Sequence, residues 1–307
     1  MDDEITLAAV MLSQLPHVGE KAATRVLQLN AARGLGLAEF FRLPAATLVD
    51  DYKLPAPAVE HICREAERRQ REAQELVGRM VAGGVAAWLP ADALYPTRWR
   101  ERLEPHPPVV FALGAAAALE APVLAVLNSR TVHERAVSAT IRVTQAAAAQ
   151  DLVVASGGMK ASHRIAAVLA RSAPARVIIL DRGLFAAFGR HLDRDPFGLG
   201  PGRGVLDATR TLVLSPFRLC DHAVARNGAR RDELIAALAD VIVAVHTRPG
   251  GEIERICFAA LDRGQCVLSW LGENAGLLAA GAISIDDDDL ADLRRFLPAA
   301  VKECNDR

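Results

Sequence analysis

The chain has 307 residues, of which 51% are hydrophobic and 24% charged, and its formal net charge is −1. This length suits about two domains with their own cores. The near-neutral charge excludes a globally basic nucleic-acid binder but permits a local basic patch. No apolar run is long enough to span a membrane, and the acidic N-terminus lacks the basic segment of a secretory signal. The 5 scattered cysteines show no metal-binding spacing. We therefore expect a cytoplasmic protein with no membrane association, no metal and no other cofactor.

Residues 5–30 are predicted to form two short helices joined by a turn at 15–19. The stretch LPHVGEKAATRVL resembles the helix-hairpin-helix motif, in which a glycine turn presents backbone N–H groups at a helix start to a DNA phosphate. Gly19 matches the motif and Lys21 adds charge beside it, whereas His17 stands where the first glycine is usual. A packing turn between two helices is the alternative interpretation.

Further helices complete a predicted N-terminal helical domain over residues 1–84. Short helices are expected within 36–54, and apolar residues near helical spacing predict one long helix from 57 to 81. Its Arg- and Glu-rich middle is interpreted as a solvated face. Gly83-Gly84 is placed to end it.

Strands alternate with helices over residues 85–285. The strands are short apolar segments, expected at 85–89, 123–127, 152–155, 176–180, 211–214, 241–245 and 265–270. This alternation predicts an α/β protein with a Rossmann-like, doubly wound parallel sheet after the small helical domain. A final helix or tail is expected over 286–307.

Polar or glycine-containing turns follow five of these strands, at 128–130, 156–158, 181–183, 215–216 and 249–251. Ligands of such sheets bind beyond the carboxyl ends of the strands. Five turns on one edge therefore predict a ligand site there. At 249–251 the glycines precede a helix, which is typical of a phosphate-sized anion site, although an ordinary strand-to-helix turn explains that segment equally well.

Several segments resemble the DNA-processing protein A (DprA, Smf) family. Tyr95-Pro96, Pro107-Pro108 and Gly114 have the spacing of the signature that begins the family's Rossmann-like domain. Residues 127–130, LNSR, are similar to the family's VGSR, and residues 234–240, LIAALAD, to its LIAGLSD. The resemblance spans about residues 5–270.

The chain also departs from the family pattern. The family's GID is lost after Gly157, so that His163 stands where Asp is expected, and its RNR reads Arg231-Asp232-Glu233. Residues 249–251, PGG, are more similar to the wider SLOG superfamily, which includes the LOG-type phosphoribohydrolases. Cys257 occupies the position of the catalytic glutamate of those hydrolases. The departures indicate a divergent member.

The resemblance implies binding of single-stranded DNA without hydrolysis, homodimerisation through the Rossmann-like domain, and loading of a RecA-type recombinase. No winged helix is expected after the sheet, and no catalytic constellation is found. The predicted phosphate-binding residues offer a hydroxyl, a backbone N–H or a positive charge: Ser129, Arg130, Ser156, Gly157, Gly158, Lys160, Arg226, Arg230, Arg231, Gly250 and Gly251. The phenylalanines at 185, 188, 197 and 217 are candidates for base stacking, with anchoring of their loops as the alternative. For each arginine the alternative is an ion pair with a nearby carboxylate, such as that of Arg231 with Asp232. One alternative is a SLOG-type sensor that binds a nucleotide or a nucleotide-derived signal. A weaker one is a LOG-like nucleoside-monophosphate phosphoribohydrolase.

Overall fold

The computed structural model describes residues 3–158, 161–197 and 204–299. Within this part of the chain, the segment before the sheet is helical: α1 (Asp3–Gln14), α2 (Glu20–Arg33), α3 (Leu37–Phe40), α4 (Ala45–Asp50), α5 (Ala56–Arg64) and α6 (Ala66–Ala82). The two helices predicted around the turn at 15–19 are confirmed as α1 and α2.

The single long helix predicted over 57–81 is wrong, because the chain leaves the helical conformation at Glu65 (φ −113°, ψ 26°). The buried Arg69 explains how this break is stabilised. Its guanidinium donates to the carbonyl oxygens of His61 and Ile62, at 3.0 and 2.7 Å. These carbonyls belong to the last turn of α5, where helix carbonyls lack partners within the helix. Hydrophobic periodicity continues across the break and therefore does not reveal it.

The remaining elements alternate as predicted. The strands are β1 (Val85–Trp88), β2 (Val110–Gly114), β3 (Val123–Asn128), β4 (Val153–Gly157), β5 (Arg176–Ile179), β6 (Thr211–Ser215), β7 (Val241–His246), β8 (Cys266–Trp270) and β9 (Ile283–Ile285). The α-helices are α7 (Thr97–Arg102), α8 (Glu134–Ala149), α9 (Ala161–Leu169), α10 (Leu184–Phe188), α11 (Ala225–Leu238), α12 (Glu252–Asp262) and α13 (Ala275–Ala279). Short 3₁₀ helices lie at Ala116–Leu119, Ala170–Ser172 and Asp288–Phe296.

All nine strands of the described chain form one sheet in the order β1-β2-β6-β5-β4-β3-β7-β8-β9. The pairings from β6 to β9 are parallel, whereas β2 pairs antiparallel with both β1 and β6. The chain builds outward from β3 through β4, β5 and β6, and then returns to the other side of β3 with β7. The doubly wound fold is thus confirmed, and its topological switch point lies between β3 and β7. The antiparallel edge and β9 were not predicted.

Helices cover both faces of the sheet. Leu124 and Val126 of β3 pack in one cluster with α8 and α9, and the alternate residues Ala125 and Leu127 pack in another with α11 and α12. A further cluster joins the N-terminal helices to β1, β2, β5 and β6. The predicted helical domain and the sheet therefore share buried side chains across the boundary at 84/85. No helix of the described residues is both long enough and apolar enough to cross a membrane.

Candidate nucleic-acid interface

The five turns singled out in the sequence follow β3, β4, β5, β6 and β7, which are neighbouring parallel strands in the sheet. Parallel strands end on the same edge, so the structure brings these turns to one edge as predicted. They do not form one open pocket, however, because side chains of the chain itself occupy the middle of that edge.

Arg231 fills the space at the end of β4. Its side chain is 2% exposed, and its guanidinium donates to Asp181 Oδ2 at 2.9 Å and to Asp232 Oδ1 at 2.8 Å. A side chain at Gly157 would place its Cβ 2.7 Å from Arg231 Cδ. Gly157 thus makes room for a buried ion pair. Arg231, predicted to bind phosphate, is already neutralised by two carboxylates.

Gly158 is covered in a similar way. A Cβ there would lie 2.2 Å from Phe197 Cε1, and the Phe197 ring is fully buried and packs edge-on against Phe188. Ser156 is buried next to Gly157. Phe185, Phe188 and Phe197 are all core side chains, so the alternative that they anchor their loops holds for these three, and they are not available to stack on bases. Lys160 lies outside the described residues.

The PGG turn after β7 has the glycine geometry of an anion site, with Gly250 at φ +67°. A carboxylate of the chain itself nevertheless accepts the hydrogen bond of its N–H group: Gly250 N donates to Glu254 Oε2 at 2.6 Å. Gly251 N donates to the carbonyl oxygen of Arg248 at 2.8 Å. Both N–H groups are therefore already bonded within the chain, as in the alternative of an ordinary strand-to-helix turn.

Replacing Glu254 with alanine should lower the free energy of unfolding by about 1–3 kcal/mol, because the N–H of Gly250 loses a charged acceptor in a partly buried turn. The same change should create a weak phosphate site at this turn, so that phosphate stabilises the variant more than the parent. Urea denaturation with and without inorganic phosphate measures both effects. Equal stabilisation of parent and variant by phosphate would contradict this interpretation of the turn.

The turn after β3 is more exposed. Ser129 Oγ accepts a hydrogen bond from Arg248 N at 2.8 Å, which ties the ends of β3 and β7 together. Arg130 is exposed and forms no ion pair with any described residue. Asn128, which replaces the family glycine, is buried and donates to Thr140 Oγ1 at 3.0 Å. Of the two predicted phosphate ligands in this turn, Ser129 is hydrogen-bonded within the chain, whereas Arg130 keeps an accessible charge.

An open cleft of about 950 Å³ lies where the α1–α2 turn approaches the loop after β6. Gly19, Arg226 and Arg230, predicted from separate segments, all line it. Side chains from the two walls complete the lining; they include His17, Pro216, Phe217, Arg218 and His222. Lys21 lines an adjoining cavity of about 580 Å³ that shares Gly19 and Arg230 with the cleft.

Local contacts fix the two walls of the cleft, one formed by the α1–α2 turn and the other by the loop after β6. In the helical wall, His17 adopts the left-handed conformation (φ +59°), and Gly19 begins α2 as its N-cap with open space where a side chain would lie. Arg218 joins the walls by donating to the carbonyl oxygen of Leu15. In the other wall, a Cβ on Gly183 would lie 2.0 Å from the carbonyl oxygen of Arg218, so this position requires glycine.

The arginines of the cleft differ in their available charge. Arg230 forms ion pairs with Glu20 and Glu233 and also donates to the carbonyl oxygen of Pro105. Arg226 is exposed and, like Arg218, forms no ion pair among the described residues. Arg218 and Arg226 therefore bring into the cleft charges that no described ion pair neutralises, although the carboxylate residue Asp221 also lines it. Sequence reasoning missed Arg218, although it lies two residues after the turn at 215–216.

The fold and the cleft define a class: a Rossmann-like α/β protein whose helical N-terminal domain closes an arginine-lined cleft at the carboxyl edge of the sheet. A family model described as DNA recombination-mediator protein A matches residues 86–274. The chain belongs to this family, which confirms the resemblance to DprA drawn from the sequence motifs, and it is a DNA-processing protein.

Solved structures of this family have the same fold. DNA processing protein A from Streptococcus pneumoniae aligns with a TM-score of 0.67 and 18% identity, over 95% of this chain and 98% of that one. The Helicobacter pylori protein aligns with a TM-score of 0.53 and 16% identity, over 70% of this chain and 97% of that one. A molybdenum cofactor carrier protein from Chlamydomonas reinhardtii aligns with a TM-score of 0.38 and 18% identity, over 61% of this chain and 99% of that one. No curated protein sequence matches the chain.

Proposed function

We propose that this protein binds single-stranded DNA in the cleft between the α1–α2 turn and the loop after β6, and that it acts in DNA recombination. The observation that carries the proposal is the convergence of Gly19, Arg218 and Arg226 on one open cleft. Family membership supports it, as does the Helicobacter pylori relative, whose structure was described with its single-stranded DNA binding mode.

The lining of the cleft suits a flexible strand. Arginine side chains and the N–H groups at the start of α2 are donors for backbone phosphates. Half-buried Phe217 offers a ring face to an unpaired base, a contact worth about 1–3 kcal/mol in other single-strand binders. Phosphates and one base can thus be contacted together without reading the sequence of the strand.

We propose a binding protein rather than an enzyme. Cys257, at the position of the glutamate of the LOG-type hydrolases, is buried in α12, and burial raises the pKa of its thiol to about 12. A neutral, buried thiol does not supply the charge or the proton transfer of a carboxylate. Homodimerisation and the loading of a RecA-type recombinase follow from the family resemblance and belong to the same proposal.

Titration of the purified protein with a fluorescent single-stranded oligonucleotide, at two salt concentrations, tests the proposal. We expect salt-sensitive binding that is tighter than binding of the matching duplex. Absence of binding, combined with thermal stabilisation by a mononucleotide, would instead favour the nucleotide sensor. Sedimentation of the free protein tests the homodimer, and pull-down of a RecA-type recombinase tests the partner.

Replacing Glu20 with glutamine should strengthen single-strand binding several-fold. Glu20 lies in the cleft and pairs with Arg230; burial raises the pKa of its carboxyl group, an effect that the charge of Arg230 partly offsets. The amide removes a negative charge near the bound phosphates and releases Arg230 from one of its two carboxylate partners. Affinity at fixed salt measures the effect. A weaker or unchanged affinity of the variant would show that phosphates do not approach this wall.

A further inference from the structure

A second group of polar side chains lies on the same edge of the sheet, at the topological switch point. His133 follows β3 and precedes α8, His246 ends β7, and Glu273 follows β8. Open α/β sheets bind ligands in the crevice at the switch point. The DNA-binding proposal uses the cleft beside β6 and leaves this position unassigned.

The three side chains converge on one point. Glu273 Oε2 lies 2.8 Å from His246 Nδ1, and Glu273 Oε1 lies 3.2 Å from His133 Nε2. The two imidazole rings meet edge-on with centroids 4.7 Å apart. One ligand atom from each residue falls within 4.8 Å of the others. Adjacent ligands of a tetrahedral zinc ion, with bonds of about 2.0–2.1 Å, are separated by roughly 3.3 Å, so an ion fits with small side-chain movements.

The loop that carries Glu273 is fixed by the neighbouring residue Asn274. Asn274 takes the left-handed conformation (φ 59°), accepts hydrogen bonds from Thr247 N and Oγ1, and donates to the carbonyl oxygen of Ala244. These bonds fasten the loop after β8 to the end of β7, the strand that carries His246.

We propose that His133, His246 and Glu273 bind one divalent transition-metal ion, for which Zn²⁺ is the best match. Two imidazoles and one carboxylate are a donor set that suits zinc, and three protein ligands leave a fourth position for water or a phosphate oxygen. This goes beyond DNA binding and reverses the sequence-based expectation of no metal. The sequence spacing of the three residues, 133, 246 and 273, matches no metal-binding motif.

Metal binding has one local consequence. In the structure His133 Nδ1 accepts a hydrogen bond from Ala136 N and caps α8. A neutral imidazole that binds metal through Nε2 carries its proton on Nδ1, so this cap bond is given up. We therefore expect an affinity below that of closed structural zinc sites.

The test uses the tag-free, full-length protein after treatment with a chelator. Zn²⁺ is titrated in competition with a chromophoric chelator, for the parent and for His246→Asn and Glu273→Gln. His61→Asn is the matched control, because His61 pairs with Glu65 at 3.1 Å and belongs to no three-residue cluster among the described residues. Circular dichroism confirms that each variant is folded.

We expect one bound equivalent of Zn²⁺, an affinity lowered at least tenfold in His246→Asn and in Glu273→Gln, and no change in His61→Asn. Replacement by Co²⁺ should give the visible absorption of a tetrahedral site in the parent and not in the two variants. Failure of the parent to bind Zn²⁺, or equal binding by the parent and the two cluster variants, would overturn the proposal.

Discussion

Replacing Arg231 with alanine should lower the free energy of unfolding by about 3–5 kcal/mol, because it removes the buried cation that Asp181 and Asp232 share. Asp181 keeps its other ion pair, with Arg182 at 2.9 Å. The guanidinium is 2% exposed, so water does not replace it readily. The change also empties the space beneath Gly157. Urea denaturation measures the loss, and two-state unfolding is checked with two probes.

Arg255→Ala is the matched control for this prediction. Arg255 also pairs with a carboxylate, that of Glu252, but its side chain is 61% exposed, and surface ion pairs are worth about 0–1 kcal/mol. A loss below about 1 kcal/mol for Arg231→Ala would mean that Arg231 is not a structural residue, and its predicted role as a phosphate ligand would then regain support.

Replacing Arg218 and Arg226 with alanine should weaken single-strand binding strongly while leaving the fold intact. Each lost phosphate contact reduces the slope of log K against log salt by about 0.7, which is roughly eightfold in affinity at about 50 mM salt. The double variant should therefore lose well over tenfold. Anisotropy titrations at several salt concentrations measure both the affinity and the slope.

Two single variants serve as controls for this prediction. Arg255→Ala removes an exposed arginine from α12, outside the cleft, and should leave the slope unchanged. Arg218 also donates to the carbonyl oxygen of Leu15, so Arg226→Ala alone, at an exposed position, separates charge from structure. If the double variant keeps the parental affinity and slope, DNA does not bind in this cleft.

Local sequence patterns predict most of the sheet. Buried parallel strands are short, β-branched-rich and end in polar turns, so β3 to β8 and the gathering of their turns on one edge follow from the sequence. The break at Glu65 was missed because Arg69 stabilises it through carbonyls seven and eight residues earlier, which no periodicity reveals. β9 has three residues, two of them exposed, and its pattern is too short to detect.

The site was predicted less completely, since charge pairing depends on distant residues. Arg231 looks like a phosphate ligand in the sequence, but its partner Asp181 lies 50 residues away on another strand end. Gly250 likewise fits an anion-binding turn in the sequence, but its N–H group already donates a hydrogen bond to Glu254. Arg226 and Gly19, predicted as DNA-contacting residues from two separate segments, both line the cleft. Only the packing of α1 and α2 against the sheet shows that Gly19 and Arg226 face the same cleft.

Protection of Cys220 by DNA would test the central claim most directly. Cys220 is exposed in the loop that lines the cleft, and Cys63 is exposed on α5. Two variants are compared, each with Cys304 and one of these two cysteines replaced by serine, and their reaction with a maleimide is followed with and without a single-stranded oligonucleotide. We predict that the oligonucleotide slows labelling of Cys220 and leaves Cys63 unaffected. Equal labelling of Cys220 in the presence and absence of saturating oligonucleotide would contradict the placement of the DNA in this cleft.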